Sequence, residues 1–324
     1  MTKKDRYRRM LVAAGLVAAL ATALACGCSG REPVDDAVDS DGSLVSEKGQ
    51  IAFTHATKFD WTNWASSEAD IYLINIDGSG ERRLTDSPRL DGFPAWSSDG
   101  ERLAFSSARD GGQSEMYVMD ADGSEQRRLT HTPEAESFFS WSPDGERIAY
   151  TATDSAYNAK IWVMDADGSN RKQLASGSLP SWSPDGERIA YTAYSGDRPY
   201  LAVMNADGSE QRRLGEVSLI RRLTGTAAKE EQPVWSPDGQ KIAFSSEDEE
   251  EIYALNADGS RRTRLTDTPG YDHWPPTWSP EGTRIAFTTE NKKRTEVYVI
   301  NSDGSGLTRL TDDLGEDFYP AWRP

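Results

Sequence analysis

Five residues ahead of a recurring tryptophan the chain carries a carboxylate four times, at Asp91, Glu136, Glu230 and Asp317, and a fifth copy has His273 there with Asp272 beside it. A spacing repeated along the whole length can bring such distant residues to one point. Gathered near the mouth of a channel with low-dielectric walls, four acids would focus a negative field and hold a basic ligand or a metal ion. A metal-dependent lyase or glycoside hydrolase acting in the channel is the enzymatic form of this reading, because such sites assemble from distant positions without a local motif. The competing reading is an acid encoded by the repeat, capping the incoming strand or loop.

Other catalytic chemistry is sparse. The histidines are His55, His131 and His273; there is no G-x-S-x-G elbow, no H-E-x-x-H pair and no phosphate loop. The DADGS strings, as at Asp120 and Asp165, open like a calcium-binding EF-hand loop, which demands a Glu at its twelfth place. That place holds His131 and Ser176. Calcium is therefore rejected, and the strings read as turns, where Gly accepts positive φ and Asp bonds locally. With 53 acidic against 36 basic residues the net charge is -17, which opposes phosphate backbones and excludes nucleic acid as a partner. No cofactor is implied.

The elements that must position these residues come in six copies. Trp96, Trp141, Trp182, Trp235, Trp278 and Trp322 stand 45, 41, 53, 43 and 44 residues apart. After each of the first five comes a turn (SSDG at Ser97, SPDG at Ser142, Ser183 and Ser236, SPEG at Ser279), then an apolar run such as Leu103-Ala104-Phe105. A third run follows (EMYVMD at Glu115, EVYVIN at Glu296), then a DG turn and a polar strand ending RLT or similar. Each unit is a four-stranded antiparallel meander. One such sheet cannot bury both faces, so the units must stack, and radial stacking protects their edges. Ile51-Ala52-Phe53 is a second strand with no Trp string ahead of it, and Tyr319-Pro320-Ala321-Trp322 is a first strand with nothing after it. The expectation is all-β: a six-bladed β-propeller over residues 50–324, closed by pairing of its N- and C-terminal strands.

The strings W-S-P-D-G, I-A-F, Y-V-M-D-A-D-G-S and R-L-T resemble the TolB-like group of WD-type propeller repeats, over residues 50–324. The resemblance implies the propeller and a setting in the cell envelope. In TolB an α/β domain precedes the propeller, and only the propeller is carried over to this chain.

Residues 1–25 read as a signal peptide, with five Lys or Arg in MTKKDRYRRM and an uncharged run from Leu11 to Ala25. The run is shorter than a spanning helix needs. ALAC resembles the lipobox of bacterial lipoproteins, which marks Cys26 for lipidation, with Cys28 as the alternative and ordinary cleavage after Ala25 as the other route. Residues 26–49 are acidic and poor in large apolar side chains, a composition expected of a flexible tether.

Function is sought where the copies differ, because a shared residue is explained by the shared fold. The first-to-second and third-to-fourth turns lie on one face and are uniform; the other face carries the variable loops. Those loops hold Phe59, Trp61, Trp64, Phe93, Phe138, Phe139, Tyr157, Tyr194, Tyr271, Trp274, Phe318 and Tyr319, and aromatic side chains are what binding surfaces favour. Two loops exceed the repeat length, Thr54 to Asp70 and the segment after Leu214. The candidate ligand or partner set is Trp61, Trp64, Asp91, Phe93, Glu136, Phe138, Glu230, Asp272, His273, Trp274, Asp317 and Phe318. These observations point to an exported, lipid-anchored, monomeric, non-enzymatic propeller that faces the periplasm or extracellular space and binds an envelope protein, a peptide or a saccharide.

Overall fold

Runs such as Leu103-Ala104-Phe105 and Ile148-Ala149-Tyr150 are buried on both faces of their strands, as befits second strands flanked by sheet on either side. The computed structural model describes residues 49–58, 67–196, 198–215, 229–246, 249–268, 275–290, 294–312 and 315–324, and the backbone alone of 271–272. Trp61, Trp64, His273, Trp274, Cys26, Cys28 and the whole of residues 1–48 lie outside them.

The strands form six antiparallel sheets. Blade 2 runs Asp91–Trp96, Arg102–Ser107, Glu115–Asp120 and Arg127–Arg128 from the axis outward. Blade 3 (Ala135–Ser176), blade 4 (Ser178–Arg213) and blade 5 (Glu230–Arg264) repeat it. Blade 1 is composite: Glu316–Trp322 supplies its first strand beside Gln50–Lys58, with Ile51 opposite Trp322 and His55 opposite Asp317. The expected closure is therefore present. In blade 6 the first strand is split into Tyr271–Asp272 and Thr277–Trp278, both paired with Arg284–Glu290. Pro275 and Pro276 stand in the gap, and proline has no N–H for a ladder.

Each repeated tryptophan is 5–7% exposed and packs between blades. Trp96, for example, lies with Phe105 of its own blade and with Ala52, Ile71 and Leu73 of blade 1. The arginine that begins a second strand stacks on the tryptophan of the next blade: Arg102 on Trp141 at 4.9 Å, Arg147 on Trp182 at 4.7 Å, Arg188 on Trp235 at 4.8 Å and Arg284 on Trp322 at 6.0 Å. Blade 1 has Gln50 at that place, and Arg323 takes over, lying 5.1 Å over Trp96 and donating to Gly100 O and Gln50 Oε1.

The RLT string has its own local cause. Thr85, Thr130, Thr266 and Thr311 accept the N–H of Ile71, Met116, Ile252 and Val297, while Arg83, Arg128, Arg264 and Arg309 pair with Asp70, Glu115, Glu251 and Glu296 on the third strands. Blade 4 lacks both partners, having Gly215 and Tyr200 at those places, and there Arg213 lies 4.5 Å over the Tyr200 ring instead.

Candidate functional site

In five blades the first strand bulges three residues before its tryptophan. Its register against the second strand slips between Gly92 and Ala95, Ser137 and Ser140, Ser178 and Ser181, and Glu231 and Val234. At the slip Phe93, Phe138, Leu179, Gln232 and Tyr319 take φ of 57°, 55°, 56°, 63° and 57°, a region that bulky side chains enter at a cost of about 1–3 kcal/mol. The sixth blade has Pro275 here, whose ring forbids positive φ. A bulge frees backbone groups, and the neighbouring blade uses them: the N–H of Phe93, Leu179 and Gln232 donates to Thr54, Thr151 and Thr192 at 3.2, 2.9 and 2.9 Å.

These residues wall a cavity of about 250 Å³ on the propeller axis, to which all six first strands contribute. One side is aromatic. Phe93 meets Tyr319 at 4.3 Å and Phe138 at 4.8 Å between ring centroids, and Phe138 meets Tyr319 at 5.7 Å. The other side has Leu179, Gln232 and Pro275, and Pro94, Pro180, Pro233, Pro276 and Pro320 also line the cavity. The cavity is apolar with a few polar groups, the composition of a small-ligand or side-chain pocket.

The four acids are placed differently from an open ring. Asp91 is fully buried, accepts from Ser107 and pairs with Arg109 at 2.6 Å. Glu136 is fully buried, with Thr130, Thr132 at 3.1 Å and Arg171 at 3.3 Å as partners. Glu230 pairs with Arg262 at 3.0 Å, and Asp317, fully buried, meets His55 at 2.7 Å. Three are thus paired with an arginine, and the fourth meets an imidazole. Burial pushes Glu136 up to about 7, with Thr130 and Arg171 pulling the other way, and it raises Asp91 and Glu230. Among the described residues no three His, Cys, Asp or Glu side chains are grouped to hold a metal ion.

Of the expected site residues, then, Phe93 and Phe138 are brought together on the cavity wall. Phe318 is buried on the core side of Tyr319, edge-on at 5.3 Å. Asp272 lies in a short first-strand segment opposite Thr289. Sequence reasoning places Tyr319 among the variable-loop aromatics but outside the candidate set, and it does not point to Leu179 or Gln232. Their signal was a column three places before the tryptophan that reads Phe, Phe, Leu, Gln, Pro, Tyr, varied in side chain at fixed register.

Residues 58–222 and 233–324 match the family model described as TolB beta propeller domain. Among solved structures, TolB from Acinetobacter baumannii superposes with a TM-score of 0.71 at 21% identity, over 85% of this chain and 67% of that one. An oligogalacturonate lyase in complex with manganese gives 0.53 at 14% identity, over 75% of this chain and 70% of the lyase; at these identities the likeness is one of fold. Dipeptidyl-peptidase 5 of Porphyromonas gingivalis is 28% identical over 106 residues, which are 31% of this chain and span 15% of the peptidase.

Proposed function

The chain belongs to the TolB beta propeller domain family, and from that premise we propose that it is an exported, lipid-anchored, non-enzymatic propeller that binds a protein partner at the channel mouth on its variable-loop face. The observation that carries this reading is the bulged ring: five first strands hold Phe93, Phe138, Leu179, Gln232 and Tyr319 in left-handed backbone around one cavity. Backbone strain of that kind clusters where a surface is pre-organised for a ligand. The sequence assigns Trp61, Trp64 and Trp274, which lie outside the described residues, to variable loops, and we include them in the contact.

A lyase or glycosidase would need its acids unspent, whereas Asp91, Glu136 and Glu230 are each paired with an arginine and Asp317 is in contact with His55. The address comes from the N-terminal sequence, with Cys26 as the acylated residue and Cys28 as the alternative.

The test has three arms. A photo-crosslinking residue at Phe138 should capture one envelope protein that the same residue at Lys172 does not, and equal capture from both positions would defeat the reading. Metal analysis with turnover of acidic polysaccharides should be blank; a retained metal with product formation would establish the enzyme instead. Labelling with a fatty-acid analogue should be lost in Cys26→Ala.

A further inference from the structure

Among the described residues three large side chains with apolar surface are exposed, Tyr157 and Tyr194 at 40% each and Leu307 at 46%. Leu307 follows a third-to-fourth-strand turn on the uniform face. Both tyrosines lie at second-to-third-strand connections on the variable-loop face, in adjacent blades. Tyr157 stands between Arg147–Thr153 and Ala159–Asp165 of blade 3, and Tyr194 near the end of Arg188–Ser195 in blade 4.

The blade 3 connection is organised on Asp154, whose Oδ1 accepts the N–H of Ala156 and of Asn158 at 2.9 Å and whose main-chain carbonyl accepts the N–H of Tyr157 at 2.9 Å. Tyr157 is thereby held at φ 65°, where a bulky residue is strained and Gly or Asn is not. The other exposed left-handed positions hold polar residues, Glu125, Asn170, Glu210, Glu250 and Arg261. The Tyr157 side chain makes no hydrogen bond or ring contact among the described residues, so the fold carries strain to display a ring that it does not itself use. In blade 4 the Tyr194 hydroxyl meets Ser178 Oγ at 2.8 Å, beside Leu179 of the cavity wall, and its ring joins the rim to the cavity.

Elsewhere the chain covers tyrosine rings with its own guanidinium groups: Arg109 lies 5.0 Å over Tyr117, Arg171 5.8 Å over Tyr150, Arg213 4.5 Å over Tyr200 and Arg262 3.5 Å over Tyr253. Tyr157 and Tyr194 carry no such cation among the described residues. We propose that the blade 3–blade 4 sector of the variable-loop face, centred on Tyr157 and Tyr194, is a docking surface for a protein partner that presents Arg or Lys side chains to the two rings. This deepens the protein-binding reading above and rests on it. Tyr157 with Ser155 and Asn158 has the composition of protein-binding loops. The hydrogen bonds of Asn158 hold the Asp154 carboxyl below its ordinary range, and the Glu231 carboxylate acts on the Tyr194 hydroxyl. Lys160 and Arg198 offset these two acids locally, so the steering field is that of the whole chain, whose net charge of -17 draws a basic surface.

An array of short peptides that differ only in holding Arg, Lys, Gln or Glu at chosen positions tests this on the whole protein. The Arg and Lys members should bind and their Gln and Glu counterparts should not. Tyr157→Gly should weaken binding by about threefold and Tyr157→Gly with Tyr194→Leu by about tenfold, while Tyr157→Phe stays within about twofold of the wild type. Glycine suits φ 65°, so Tyr157→Gly should melt no lower than the wild type, and its loss of binding is not a loss of fold. Binding without preference for Arg or Lys, undiminished binding by the double variant, or an array bound nowhere overturns the surface. A neutral saccharide that binds, and is lost in the same variants, overturns the cationic partner. Capture from Phe138 judges the broader reading separately. Capture that persists undiminished in the double variant removes this surface alone, whereas bound Arg peptides with no capture from Phe138 remove the channel mouth and leave the tyrosines.

Discussion

The indole Nε1 of Trp96 donates to the main-chain carbonyl of Ala321 at 3.2 Å, joining residues 225 positions apart. Trp141 does the same to Ala95 and Trp278 to Val234. Where the residue before the preceding tryptophan is Ser140, Ser181 or Thr277, its hydroxyl instead accepts the backbone N–H of Trp182, Trp235 or Trp322, and those three indoles have no acceptor among the described residues. Two chemistries thus close one kind of joint.

Trp96→Phe should therefore cost more than Trp235→Phe. Both lose similar buried ring area, but only the first loses a hydrogen bond, worth about 1 kcal/mol. Urea unfolding of the two variants measures the difference.

Arg323→Ala should loosen the joint between blades 1 and 2, lowering stability by about 1–2 kcal/mol through the lost cation–π contact and hydrogen bonds. Gln50→Arg restores the arginine that other blades carry at this place, so the double variant should recover most of the loss. A double variant no better than Arg323→Ala alone would contradict the assignment.

Gly123 and Gly111 both have positive φ, 93° and 71°. A Cβ at Gly123 would lie 2.8 Å from Leu84 O, whereas nothing lies within 4 Å at Gly111. Gly123→Ala should lower the melting temperature clearly more than Gly111→Ala, by an extra cost of about 1–3 kcal/mol.

Glu136 sets part of the pH dependence of stability. Burial pushes its carboxyl up to about 7 when folded, from an ordinary 4.5, so over that interval the folded chain keeps a proton that the unfolded chain has released. The associated stability is complete below about 4.5 and is lost as the pH rises through 7. The wild type should melt higher at pH 5 than at pH 8. Glu136→Gln should narrow that gap, chiefly by melting closer to the wild type, or above it, at pH 8.

Substitution of Trp61, Trp64 and Trp274 together by Ala should abolish partner binding with a nearly unchanged thermal transition. Calorimetry and the crosslinking assay on the same preparation separate the two effects, and intact binding would remove these residues from the contact.

The fold was legible because six copies of a tryptophan, a turn and an apolar run leave one way to bury both faces of every sheet, and the half-blades at Ile51 and Trp322 announced the closure. The site was legible only in part. Phe93 and Phe138 could be chosen as aromatics on the right face, but no glycine marks the bulge that turns them to the axis, since Phe, Leu, Gln and Tyr adopt the left-handed backbone there. The counter-ions were hidden for a different reason. Arg109 comes from a second-to-third-strand loop, while Arg171 and Arg262 come from third-to-fourth-strand turns, so one guanidinium site is filled from two unrelated places in the repeat. An acid that looks available in sequence is neutralised by a residue its own spacing does not reveal.

At the composite blade the N–H of Arg323 donates to Gln50 O at 2.9 Å, the bond that Ser97 makes to Arg102 and Ser142 to Arg147 inside ordinary turns. The approach of residues 322–324 to residue 50 is thus a hairpin with its tip left out. Written as a circle, the chain from 50 to 324 has no natural first residue. A short Asp-Gly bridge there, with a new opening cut in the Asp144-Gly145 turn, should yield a permuted protein with the same ring.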